Sequence, residues 1–209
     1  WFTDRFYLYA LAPILEKGSS YGRSSVGGGR KTQVEFVSAN PTGPLTVGHG
    51  RNGVFGDTVA NLLEWTGHNV TREYYFNNAG RQMRVLGDSV KIRYLELLGE
   101  QVSFPDDYYQ GEYIRDIAKR LHAEFGSKLR DESPEGIFKQ RAETEIFDDI
   151  KKTCTRLGIH FDVFFNENSL YETGKVAGAI EELRQRGFAY DQEGAVWFKA
   201  TALGGEKDK

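Results

Sequence analysis

Thr32-Gln33-Val34-Glu35-Phe36-Val37, Ser38-Ala39-Asn40-Pro41-Thr42-Gly43-Pro44-Leu45-Thr46 and Val47-Gly48-His49-Gly50-Arg51-Asn52-Gly53 follow one another without a break and decide the fold. Residues 32–37 alternate and are β-branched or aromatic, the pattern of a strand. Two prolines and a glycine make 38–45 a loop. From about Val47, Val54, Val59, Leu62, Leu63 and Trp65 recur at helical spacing up to a stop at Gly67. Asn69–Phe76 (NVTREYYF) is a second strand. Strand, loop, helix, strand at this spacing predicts a βαβ unit, hence a parallel sheet with a right-handed crossover.

Before this unit, residues 4–17 show helical periodicity interrupted by Pro13 and stop at Gly18, and the Ser- and Gly-rich stretch 19–31 reads as an exposed, mobile linker. Beyond Gly80 the pattern turns helical, over Arg81–Leu98, Gly111–Phe125 and Pro134–Leu157, with Pro105 and Pro134 as breaks between them. Phe161–Phe165 is a short apolar run, Lys175–Gln185 a further helix, and Phe188–Lys199 a hairpin around Asp191-Gln192-Glu193-Gly194. The class is α/β.

Composition narrows the function. The 209 residues contain no run of 18 apolar residues, their mean hydropathy is -0.53, and no secretory leader pattern opens them, so a membrane span is excluded. Cys154 is the single cysteine, which excludes an internal disulfide framework and a cysteine-cluster zinc site and fits a reducing, cytoplasmic setting. A net charge of -3 carries no bulk signal for nucleic acid. His68, His122 and His160 lack metal-ligand spacing, so no protein-bound metal is expected. The mixed charges of 139–156 read as a solvated face and the plentiful aromatics as core. The start at Trp1 and the polar tail 204–209 read as a fragment of a longer chain.

Gly48-x-Gly50-x-x-Gly53, with Glu73 at the end of the next strand, matches a dinucleotide fingerprint and hence an NAD(P)-dependent oxidoreductase. The placement is poor: that motif puts its first glycine directly after the strand, whereas here a proline-containing loop intervenes. The other reading uses the whole loop. A helix starting near Val47 presents free N–H groups and a positive dipole end to phosphate. His49 adds a ring donor, and Gly48 lets a sugar or ring lie against the backbone. Such a set would bind a triphosphate and stabilise charge developing at its α-phosphate.

Val34 through His49 resembles the signature region of class I aminoacyl-tRNA synthetases, specifically the arginyl-tRNA synthetase family. Arg72 through Gly80, Tyr109-Gln110-Gly111-Glu112-Tyr113-Ile114, Ser169-Leu170-Tyr171 and Gly194-Ala195-Val196-Trp197-Phe198 resemble later stretches of the same family, in the same order. The resemblance implies the first half of a Rossmann-type catalytic domain that joins arginine to ATP, with magnesium, as arginyl-adenylate and passes it to tRNA(Arg). It implies a monomer, with a linker segment over 1–32 after a missing N-terminal domain, the first βαβ of the sheet over 33–80, and a mainly helical connective insertion with a terminal hairpin over 81–209. The family's HIGH motif maps onto Thr46-Val47-Gly48-His49, so Thr46, Gly48 and His49 are the implied catalytic and ATP-binding residues.

Thr46 departs from that motif, standing where its first histidine would be. Its hydroxyl serves either as a phosphate contact or as a helix N-cap. The same resemblance assigns Glu35, Ser38 and Asn40 to the amino-acid substrate, with Glu167 as a further partner for the guanidinium. Carboxylates and amide or hydroxyl acceptors at a strand's C-terminal edge suit a ligand with two cationic ends. Glu35 could instead be an outward strand residue, and Glu167 a solvated loop acid. Asn78, where relatives often carry an acid, has no assigned role.

The family's second, lysine-containing ATP loop is absent from these residues, and no lysine precedes the HIGH motif in Thr42-Gly43-Pro44. The anticodon-binding helices and the family's later arginine contacts are absent too. The chain alone is therefore expected to be inactive. A rival class is a synthetase-like binding module that kept the fold and lost the reaction. Thr46 favours it, whereas Asn40, Gly48 and His49 oppose it.

Overall fold

The computed structural model describes residues 1–209. Helix α1 (Asp4–Lys17) contains Pro13 within it and buries none of its residues. Strand β1 (Lys31–Glu35), helix α2 (Val47–Trp65) and strand β2 (Asn69–Phe76) form the expected βαβ unit, with the strands parallel. β1 and β2 run parallel with Lys31 opposite Asn69 and Glu35 opposite Glu73. β1 ends at Glu35, short of Val37, because the chain there leaves extended geometry.

Helices α3 (Gly80–Leu97), α4 (Glu112–Phe125) and α5 (Lys139–Arg156) then build a helical layer. α5 is preceded by a wide turn over Pro134–Phe138, where Gly136 departs from helical geometry (φ -84°, ψ -120°), so the helix anticipated from Pro134 begins later. The closeness of this turn to α3 explains Gly87: a β-carbon there would lie 2.4 Å from the Pro134 carbonyl oxygen. The apolar run at 161–165 contributes strand β3 (Val163–Asn166), which adds in parallel to β2, with Tyr75 opposite Phe165. The sheet order is β1-β2-β3, so the segment after residue 81 returns to the sheet, which its mainly helical pattern does not reveal.

The core lies between the sheet and the helical layer. Tyr74 and Phe76 from β2 meet Met83, Leu86 and Val90 of α3, Ile114, Ile117 and Leu121 of α4, and Ile146 and Ile150 of α5. Each such fully buried side chain contributes on the order of 1.5–3 kcal/mol. Arg72 clamps β2 to α2: its guanidinium reaches Glu64 at 2.7 Å, Asn61 at 2.7 Å and Asp57 at 3.4 Å.

Beyond the sheet lie the short helix α6 (Asn168–Glu172), α7 (Lys175–Gln185) and the hairpin β4 (Ala189–Gln192) and β5 (Ala195–Phe198). Asp191 and Gln192, expected in the turn, belong to β4; the turn is Glu193-Gly194 alone. Both residues have positive φ (52° and 76°), the conformation of a two-residue type I′ hairpin. No helix is long and apolar enough to cross a membrane.

Candidate active site

The C-terminal ends of β1, β2 and β3 point the same way, and every candidate residue lies beyond or beside them. Glu35 is exposed at the last position of β1. Val37 and Ser38 then adopt left-handed backbone conformations, with φ of 65° and 43°. For a β-branched residue such as Val37 this is an outlier, and a left-handed residue other than glycine costs about 1–2 kcal/mol. The strain turns the Ser38 hydroxyl back to donate to the Glu35 carboxylate, while it accepts from the Tyr75 N–H at 3.2 Å. Glu35 is thus held by a local contact at the strand's end, and strand alternation does not fix its direction.

Three side chains that the sequence pattern does not single out hold this loop. The Tyr74 hydroxyl donates to the Ala39 carbonyl at 2.7 Å and accepts from the Ala39 N–H at 3.1 Å. Burial pushes its pKa up, which suits a phenol that stays protonated as a donor. The Tyr113 hydroxyl, from α4, donates to the Thr42 carbonyl at 2.8 Å, and burial pushes it up to about 12. A β-carbon on Gly43 would stand 3.0 Å from that hydroxyl oxygen. Asn52 of α2 accepts from the Val37 N–H at 2.6 Å. The signals available were the Tyr109–Ile114 resemblance for Tyr113 and the poor helix propensity of an asparagine inside α2 for Asn52.

Asn40 spans the end of the sheet. Its Oδ1 accepts from the Asn77 N–H at 3.2 Å and its Nδ2 donates to Gln82 Oε1 at 3.0 Å. Each amide atom keeps capacity for one more bond. Glu167 follows β3, with its own N–H bound to the Phe76 carbonyl at 3.0 Å. The Tyr75 phenol is close by, its pKa raised by burial first and then by the nearby carboxylates of Glu167 and Glu35. Glu35, Ser38, Tyr75 and Glu167 therefore form one acidic end of the site. Asn78, without an assigned role, donates to Glu143 of α5 at 2.6 Å.

At the other end, Thr46 is the N-cap of α2, extended at φ -92° and ψ 169°. Its hydroxyl accepts from the His49 N–H at 3.5 Å, and the His49 ring Nδ1 accepts from the Thr46 N–H at 3.1 Å. This reciprocal pair resembles a capping box with histidine in place of the usual Glu or Gln. With Nδ1 an acceptor, the neutral ring carries its proton on Nε2, which makes no hydrogen bond within the protein. The N–H groups of Val47 and Gly48 have no partner either. A β-carbon on Gly48 would meet only the Thr46 hydroxyl, at 3.6 Å, so the space in front of the helix is open.

Asn40, Thr42, Thr46, His49 and Gln82 share a cleft of about 310 Å³. The glycines that suggested a dinucleotide have other tasks. Gly53 sits where a β-carbon would be 3.1 Å from both Val37 and Ile159, and Gly50 faces open space. None of them forms a turn directly after β1. The strand ends thus carry a group of acidic and polar side chains, and beside them a helix N-terminus offers two free amides and a free ring donor. That pairing suits a cationic small molecule beside a phosphate ester.

The arginine–tRNA ligase of Desulfotalea psychrophila is 58% identical over 199 residues, covering 95% of this chain and 36% of that protein. That of Chlorobium phaeovibrioides is 54% identical, covering 99% of this chain and 38% of its own length. The chain thus spans under two-fifths of the curated relatives it matches. A crystal structure from Campylobacter jejuni, described as an arginyl tRNA synthetase, superposes with a TM-score of 0.87 at 33% identity, over 99% of this chain and 46% of that one. The Thermus thermophilus arginyl-tRNA synthetase, at 20% identity, shares the fold with a TM-score of 0.54, over 86% of this chain and 32% of its own. The family model for the tRNA synthetases class I (R), catalytic domain, matches residues 10–206, and with the strand-end acids and the capped helix lying inside that span, the chain belongs to this family.

Proposed function

We propose that this chain is the first part of the catalytic domain of an arginine–tRNA ligase, which activates arginine with ATP and transfers it to tRNA(Arg) in the cytoplasm as a monomer. Residues 1–32 act as a linker, 33–80 as the first βαβ of the Rossmann-type half, and 81–209 as the connective segment, including the return strand. The observation that carries the reading is the pairing of the Glu35–Ser38–Tyr75–Glu167 acidic end with the free N-terminus of α2 across one strand-end site.

Glu35 and Glu167 match the guanidinium and α-amino charges of arginine, and Ser38 and Asn40 orient it. The arginine carboxylate then attacks the ATP α-phosphate: a carbon–oxygen–phosphorus anhydride forms and the bond to pyrophosphate breaks. His49 Nε2–H and the free amides of Val47 and Gly48 face the phosphates and stabilise the charge developing there. In this reading Thr46-Val47-Gly48-His49 is the HIGH motif, and Thr46 serves by holding the helix start. Magnesium would arrive on the phosphates of ATP.

The test is ATP–pyrophosphate exchange by the intact protein with arginine and tRNA(Arg). Exchange is expected with arginine and not with lysine or citrulline; exchange without dependence on arginine overturns the reading. The 209-residue chain alone should run at background, because each missing phosphate donor costs on the order of 10²–10³ in rate.

A further inference from the structure

Asn52 lies in the second turn of α2, three residues after His49, and its side chain points at the loop between Glu35 and Ser38. Its Oδ1 receives the Val37 N–H at 2.6 Å, and that N–H has no other partner. Val37 is the residue least suited to its own backbone: β-branched, at φ 65°, and followed by Ser38 at φ 43°. These two left-handed residues bring the Ser38 hydroxyl back onto the Glu35 carboxylate and under the Tyr75 N–H. Gly53, the next residue of α2, lets the helix approach so closely that a β-carbon would be 3.1 Å from Val37 Cγ2.

We infer that Asn52 is a positioning residue: it holds Val37 in its strained conformation, and so sets Glu35 and Ser38 for the guanidinium-bearing substrate from the same helix that carries His49. The inference rests on the arginine reading of that acidic end. Without the acceptor, Val37 relaxes towards extended backbone, where valine is at ease, and Ser38 swings off Glu35. The helix facing the phosphates and the loop facing the amino acid are then no longer mechanically joined. Asn52 itself touches neither the reacting atoms nor the acidic groups.

The experiment compares the intact wild-type protein with Asn52→Ala and Asn52→Asp, titrating arginine and ATP separately by calorimetry. Aspartate keeps an acceptor oxygen in the same place. Asn52→Ala is expected to weaken arginine by about three- to tenfold, the range of one neutral hydrogen bond, and to leave ATP within about twofold. Asn52→Asp is expected to return arginine affinity at least to the wild-type value, a rescue that a general loss of folding would not give. Wild-type arginine affinity in Asn52→Ala, or equal loss in both variants, overturns the inference. Hydrogen exchange at the Val37 amide separates this from the function itself. If the wild-type protein binds no arginine, the reading of the site fails, and the tether still stands or falls on faster Val37 exchange in Asn52→Ala, slowed again in Asn52→Asp.

Discussion

The Thr46 N–H and the His49 imidazole Nδ1 lie 3.1 Å apart, so one side chain both closes the start of α2 and offers a second nitrogen to whatever lies in front of it. The two duties can be separated. His49→Asn leaves an acceptor where Nδ1 was and removes the outer donor. In the intact protein it should keep the melting temperature while lowering ATP–pyrophosphate exchange about 100-fold. His49→Ala should lose both, with a stability cost near 1 kcal/mol. Thr46→Val should cost about 1 kcal/mol of stability and at least tenfold less in kcat than His49→Ala. A large kcat loss in Thr46→Val would instead make its hydroxyl a phosphate contact.

Glu35→Ala and Asn40→Ala in the intact protein should raise the KM for arginine and leave that for ATP nearly unchanged. A charged hydrogen bond lost from a partly desolvated ligand costs roughly 1.5–3 kcal/mol, more than tenfold in KM. Equal effects on both substrates would move these residues out of the amino-acid end.

Two glycines of α2 should respond oppositely to alanine. At Gly56 the new β-carbon would fall 2.3 Å from Phe36 Cβ, forcing α2 off the sheet at a cost of about 1–3 kcal/mol or more. At Gly50 nothing lies within 4 Å, and alanine should stabilise the helix by roughly 0.5–1 kcal/mol. Urea unfolding of the two variants decides it, and a stabilised Gly56→Ala would contradict the packing described.

Glu64 takes a hydrogen bond from Arg72, which holds its carboxyl below the usual value of 4.5. A depressed acid stabilises the fold above its unfolded pKa, and this contribution fades as pH falls through the lower folded value. Glu64→Gln should therefore be less stable than the wild type near neutral pH, by about 0.5 kcal/mol given that the side chain is 44% exposed. Thermal melts should converge as the pH drops well below 4.5. A gap that widened in acid would mean that Glu64 is not the titrating partner.

The βαβ unit was legible because its signals are local: alternation over residues 32–37, helical spacing from Val47, and a proline-rich loop between β1 and α2. Of the residues singled out by the resemblance of 34–49, Asn40 and His49 line one cleft and Glu35 stands at the end of β1. What stayed hidden depends on partners distant in sequence or on strain. Nothing in a valine announces a left-handed backbone, because valine resists it. The Tyr74–Ala39 bonds join residues far apart along the chain, and a tyrosine in a strand reads as core. β3 has only four residues, too few for alternation to declare which sheet it joins.

That third strand also has a consequence for how the molecule forms. β1 and β2 are joined by a single helix, whereas β2 and β3 are separated by the whole helical layer of α3, α4 and α5. Closing the longer connection costs more chain entropy before any β2–β3 pairing can offset it. Packing of α3, α4 and α5 on one another shortens the effective connection and so favours the docking of β3 on β2. Glu167, whose N–H is held by the Phe76 carbonyl, therefore owes its place to a pairing between strands far apart in the sequence, and the integrity of the whole helical layer is felt at the acidic strand ends.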